Sequence, residues 1–150
     1  MKTYKSQIDK LSLVREKTDF PRAQIVSSTD GSKYARQFYF DDIAIYESFF
    51  MILLNNSNNT VGFVKISQGG ITGTLVDVRL IAKYAIEGLA TTVILVHNHP
   101  SGSLRPSLGD KQVTAKVTKA LKLFDIKVLD HLILTEEAYF SFQDEGILDD

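Results

Sequence analysis

The sequence predicts an α/β fold, a mixed β-sheet flanked by helices. Two observations carry that expectation. In FFMILLNNSNNTVGFVKIS, an apolar run, an asparagine-rich break and a second β-rich run spell a hairpin. Helical spacing and short β-branched runs then alternate twice, the pattern that packs helices around a sheet. The length agrees, since 150 residues suit one domain and can bury a core without cross-links.

Residues 1–22 are polar and weakly patterned and read as a loosely attached extension to a domain over 23–150. Ala23 to Val26 is expected as a short strand. Ser27-Ser28-Thr29-Asp30-Gly31 offers N-cap side chains for a helix over roughly Gly31 to Phe40. The aromatic and basic residues of Lys33 to Phe40 fit one amphipathic face. Phe49 to Leu54 is a buried strand, Asn55 to Asn59 the turn and Val61 to Ile66 the return strand. Gly69 to Gly73 is glycine-rich but lacks the Lys-Ser/Thr of a phosphate loop, so it reads as a turn. Asp77 to Leu89 has Leu80, Ile81, Tyr84, Ala85 and Leu89 at helical spacing. Val93 to His97 is a central strand. Ser107 to Phe124 is the clearest helix, with Val113, Val117, Ala120, Leu121 and Phe124 along one face. Ile126 to Leu134 is another strand and Tyr139 to Phe142 an edge strand.

Composition excludes several classes. Without cysteine there is no disulfide and no thiolate metal site, so any metal must be held by His, Asp or Glu. Seventeen basic against eighteen acidic residues do not make an unaided nucleic-acid binder. No apolar run reaches membrane-spanning length, and MKTYKSQIDKL lacks a signal-peptide core, so the expected setting is the cytoplasm.

The stretch VILVHNHPSGSLRPSLGD holds two of the three histidines. In a strand, residues i and i+2 share a face, so His97 and His99 point one way and Asn98 the other. Pro100 cannot join a ladder and ends the strand. The pair therefore sits at a strand's C-terminal end, a common site position in open α/β sheets. Two imidazoles suit zinc, which wants a third protein ligand and an open position. Two satisfied polar side chains are the other reading. Ser107-x-x-Asp110 resembles a capping box. Yet Asp110, three residues before Val113, lies on the helix's apolar face, where a carboxylate needs a partner. A cation held by the histidines would supply one, and the carboxylate would then not be free to cap as well.

The spacing H-x-H-x7-S-x2-D, from His97 to Asp110, is the signature of the JAMM metalloproteases. HNHPSG, the LDH at Leu129-Asp130-His131, ISQGGITGTLVDVRLI and FSFQDEGIL resemble the bacterial RadC-like branch, over about residues 24 to 148. The resemblance implies a JAB/MPN-like α/β/α sandwich and zinc-dependent hydrolysis of a peptide or isopeptide bond. It makes His97, His99 and Asp110 the zinc ligands. Glu47 becomes the proton carrier, on similarity alone, because the family's E-x-F pattern recurs as Glu47-Ser48-Phe49. The Ser107 hydroxyl would face the developing oxyanion. His131 is the alternative third ligand. Asp130 and His131 fall on opposite faces of a regular strand, and one of them is expected to support the site from behind.

The sequence departs from the wider family in three ways. Longer RadC-like proteins carry a helix-hairpin-helix region that is not seen here, so its DNA contacts do not carry over. Deubiquitinating members have Ser or Thr where Asn98 stands. They also carry insertions for which this chain is too short, so ubiquitin is not the expected substrate. The expected partner is a peptide or protein substrate. A zinc-stabilised binding module in DNA repair or mobile-element biology is the second reading; the presence of both Glu47 and Ser107 favours an enzyme.

Overall fold

The computed structural model describes residues 9, 10, 12, 14–69 and 75–148. Positions 70 to 73 of the expected glycine turn and part of the N-terminal extension lie outside them. In chain order the elements are α1 (Ser28–Arg36), β1 (Ser48–Leu54), β2 (Thr60–Gln68), α2 (Val78–Glu87), β3 (Thr92–Asn98), α3 (Leu108–Lys122), β4 (Lys127–Leu134) and β5 (Tyr139–Ser141). They build one mixed sheet in the order β2-β1-β3-β4-β5. The β3–β4 pair is parallel and the other pairs are antiparallel.

Every residue of β1 and of β3 is buried, because both faces of the central strands are covered. This explains why their sequences run apolar rather than alternating. On one face Met51, Leu53, Val93 and Leu95 pack with Ile81 and Ala85 of α2 and Val117 and Leu121 of α3. On the other, Phe50, Ile52, Ile94 and Val96 pack with Tyr34 and Ala35 of α1 and with Phe38. The Val, Leu, Ile, Met and Phe side chains among them each contribute about 1.5–3 kcal/mol on burial. The expected α/β class with helices on both faces is therefore what the chain adopts. Among the described residues, no helix is long and apolar enough to cross a membrane.

Several expected boundaries shift. Ala23 to Val26 forms no strand, only the single bridge Gln24–Asn59. The Ala23 N–H turns instead to the Thr60 hydroxyl, 2.9 Å away, which interrupts a ladder there. Helix α1 starts earlier, with Ser27 as N-cap, and ends at Arg36. Phe38 leaves the helical path to stack on Phe63 at 4.3 Å, and Phe40 stays 80 % exposed. Phe20, within the segment expected to be loose, packs edge-on against both Phe38 and Phe63. Leu89 and Phe124 lie beyond the ends of their helices and are exposed, so helical periodicity does not govern them.

Two features of register place the site. Phe49 of β1 pairs with His97 of β3, which brings the start of β1 beside the end of β3. Along β3–β4, Val93 pairs with Val128 but Ile94 with Asp130, leaving Leu129 as an extra residue. Such a bulge reverses the alternation beyond it. His131 therefore shares a face with Val128, three residues away, and with Leu95 and His97.

Helix α2 closes on this sheet through a glycine. A Cβ at Gly88 would lie 2.5 Å from Leu53 Cδ1 and 2.8 Å from the Tyr84 carbonyl oxygen. Gly88→Ala is expected to lower stability by about 1–3 kcal/mol through overpacking. A denaturant titration would read this as a lower midpoint at unchanged slope. A wild-type midpoint would show that Leu53 and the helix end absorb the methyl group.

Candidate metal centre

His97 lies within β3, 1 % exposed, its ring stacked on Phe49 at 5.8 Å and 7°. His99 follows the strand, and its N–H continues the ladder to the Leu134 carbonyl. The two Nε2 atoms come to 3.0 Å. Asp110, in the first turn of α3, sets Oδ1 3.3 Å from His97 Nε2 and Oδ2 3.2 Å from His99 Nε2. Glu47, just before β1, places Oε1 3.9 Å from His97 Nε2. One ligand atom from each of these four residues lies within 4.8 Å of the others.

The hydrogen bonds around this group determine where its protons sit. Thr114, one turn after Asp110, donates its only hydroxyl hydrogen to the Asp110 main-chain carbonyl at 2.7 Å. It must then accept from His131 Nδ1, at 2.5 Å. A neutral His131 consequently has a bare Nε2, which accepts from His97 Nδ1 at 2.7 Å. His97 is left with a lone pair at Nε2. His99 reaches the same state independently, because its Nδ1 donates to the Ser103 carbonyl at 2.8 Å. Two lone pairs thus face each other at 3.0 Å beside a carboxylate. They repel unless a positive group lies among them, so a cation suits the arrangement, and nitrogen and oxygen donors without sulfur suit zinc among others.

Charge states fit the same pattern. Burial resists ionisation of Asp110, but the two imidazoles that face it and the Ser107 N–H outweigh burial and hold its carboxyl well below the usual range. For Glu47, burial is the foremost effect and raises the pKa, with His97 and His99 opposing it and Asp110 reinforcing it. Burial pushes His131 well below an ordinary histidine, so it stays neutral as the relay requires.

Ser107 caps α3 and accepts from the Asp110 N–H at 3.0 Å, while Asp110 Oδ2 accepts from the Ser107 N–H at 2.8 Å. The capping box is complete. Capping and facing the histidines therefore do not exclude each other, contrary to expectation. A carboxylate oxygen has two lone pairs, and Oδ2 uses them in two directions. The structure thus brings together His97, His99, Asp110 and Glu47, with Ser107 bonded to Asp110.

Of the two supporting candidates, His131 backs the site and lies behind His97. Asp130 faces the other layer, accepting from the Ser141 hydroxyl at 2.6 Å and from the Gln143 N–H at 3.0 Å. It touches the site only through the His131 main-chain N–H, at 2.7 Å. Thr114 escaped the sequence reading. Its one signal is a hydroxyl residue on the buried helix face, four residues after Asp110.

Residues 25–147 match the family described as RadC-like JAB domain. A UPF0758 protein of Flavobacterium johnsoniae is 54 % identical over 102 residues, 68 % of this chain and 44 % of that relative. A UPF0758 protein of Porphyromonas gingivalis is 47 % identical over 103 residues, 68 % of this chain and 45 % of its own length. One from Clostridioides difficile is 36 % identical over 115 residues, 75 % of this chain and 49 % of its own length. The chain spans about half the length of these curated relatives. With the family match running through both histidines, Asp110 and the strand behind them, this chain belongs to the RadC-like JAB domain family.

Proposed function

We propose that this chain is a metal-dependent hydrolase of the JAMM type, with zinc as its ion, that cleaves a peptide or isopeptide bond in a peptide or protein substrate. The observation that carries the reading is the convergence of two imidazole lone pairs and one carboxylate, with a second carboxylate 3.9 Å from His97 Nε2. His97, His99 and Asp110 would hold the ion. When bound, it supplies a Lewis acid that acidifies water and polarises the scissile carbonyl. Glu47 takes the proton from the attacking water on its carboxylate and returns it to the leaving nitrogen. The Ser107 hydroxyl accepts from Asp110 through a lone pair, so its hydrogen stays available to the developing oxyanion. Such a donor contributes roughly 3–4 kcal/mol to the transition state. His131 and Thr114 keep the His97 lone pair turned toward the ion. A binding module would not need the Glu47 carboxylate here, and a net charge of −1 gives it little pull on nucleic acid.

Metal content is the first test. His97→Ala and Asp110→Ala should each strip zinc from the purified protein. His131→Ala should still bind it, with affinity lower by about 10- to 100-fold in a chelator competition. Equal loss in all three would make His131 a ligand. Glu47→Gln should retain full zinc and near-native stability, with turnover of a substrate identified by peptide-library cleavage falling roughly 100- to 10,000-fold. Wild-type turnover in this variant would remove the proton-carrier role. Ser107→Ala separates capping from catalysis. Loss of the cap lowers stability by about 1 kcal/mol. Loss of the oxyanion donor lowers turnover by roughly 100-fold or more with zinc retained. Unchanged turnover would leave Ser107 as a cap alone.

A further inference from the structure

We propose that Asn98 is the positioning residue for Glu47: its single amide grips the main chain on both sides of that glutamate and ties it to the histidine pair. The proposal rests on Glu47 being the proton carrier. Asn98 lies between His97 and His99 but points to the opposite face of the sheet, and it is 0 % exposed. Its Nδ2 donates to the Tyr46 carbonyl at 2.7 Å and to the Ile43 carbonyl at 2.7 Å. Its Oδ1 accepts from the Ser48 N–H at 2.8 Å.

The choice of atoms matters. The Tyr46 carbonyl belongs to the peptide plane entering Glu47, and the Ser48 N–H belongs to the plane leaving it. Holding both planes constrains the backbone dihedrals of Glu47 and hence the direction of its side chain. Further bonds close around the same point. The Glu47 carbonyl accepts from the Gly69 N–H at 2.9 Å, and the Ser48 carbonyl accepts from the buried Tyr39 hydroxyl at 2.9 Å.

Packing anchors this segment at Ile43 but does little next to Glu47. Ile45 and Tyr46 are 48 % and 42 % exposed, and the segment before Ser48 belongs to no strand or helix. Only a side-chain amide offers two donors and an acceptor at this reach. Asp lacks the donors, and Ser or Thr has one hydroxyl hydrogen on a shorter arm. The strand's alternation thus has a second use: odd positions face the ion, and the position between them holds the carboxylate that works beside it.

The test uses the full chain, zinc-loaded, with Asn98→Asp as the near-isosteric variant and Asn98→Thr as the second should the first not fold. Both should keep zinc stoichiometry. Amide hydrogen exchange over residues 43–48 should accelerate by about tenfold or more. On a cleavable peptide, kcat should fall roughly 10- to 100-fold with KM within about threefold, the signature of a misplaced group rather than lost binding. In a Glu47→Gln background the same substitution should add less than about twofold, because it acts through Glu47. Unchanged exchange over residues 43–48, loss of zinc, or losses that multiply with Glu47→Gln would each overturn the proposal. If the wild-type protein cleaves no peptide, the hydrolase reading fails, and the exchange and zinc arms still decide whether Asn98 is the clamp.

Discussion

Thr114 has one hydroxyl hydrogen, and the main-chain carbonyl of Asp110 takes it. The protonation of the centre follows from that allocation. His131 must donate to Thr114, so its other nitrogen accepts from His97, and the His97 lone pair is turned toward His99 and Asp110. The chain of bonds begins on the residue that closes the site and returns to it through two histidines. Burial helps, because it keeps His131 neutral and so able to accept at one nitrogen and donate at the other. Phe142 stacks on His131 at 4.6 Å and Phe49 on His97 at 5.8 Å, so the rings have little freedom to leave this arrangement.

Asp110 shows how one side chain meets two demands. As the third residue of α3 it completes a capping box with Ser107, and its carboxylate also reaches both histidines. The two demands are compatible because both favour the ionised carboxylate. The N-terminal end of a helix stabilises negative charge, and so do protonated imidazoles or a cation. The cap orients the carboxylate before anything binds, so the site needs little rearrangement to accept an ion.

The sheet serves as a jig. Antiparallel pairing of β1 with β3 brings Glu47 to the histidines across about fifty residues of sequence. The parallel β4, with its extra Leu129, delivers His131 behind them. Without that bulge, regular alternation from Val128 would turn His131 to the α1 layer and Asp130 toward His97. Asp130 instead binds Ser141 and Gln143 on the far side, anchoring the chain that carries Phe142.

The sequence by itself determined the order and type of the main elements, because hydrophobic period and turn chemistry are local. It also determined that His97 and His99 share a face, that Pro100 closes the strand, and that Asp110 sits on the buried side of a helix's first turn. These follow from spacings of two to four residues, which backbone geometry converts directly into direction. Tertiary structure alone decided the rest. No period or spacing marks Glu47 among eighteen acidic residues; only the family's E-x-F pattern did, since its place beside the histidines depends on which strand β1 pairs with. The choice between Asp130 and His131 turned on a bulge set by the register of a neighbouring strand. Thr114 meets His131, and Asn98 meets Ile43, Tyr46 and Ser48, across long stretches of sequence, and a local pattern holds no record of where those groups will meet.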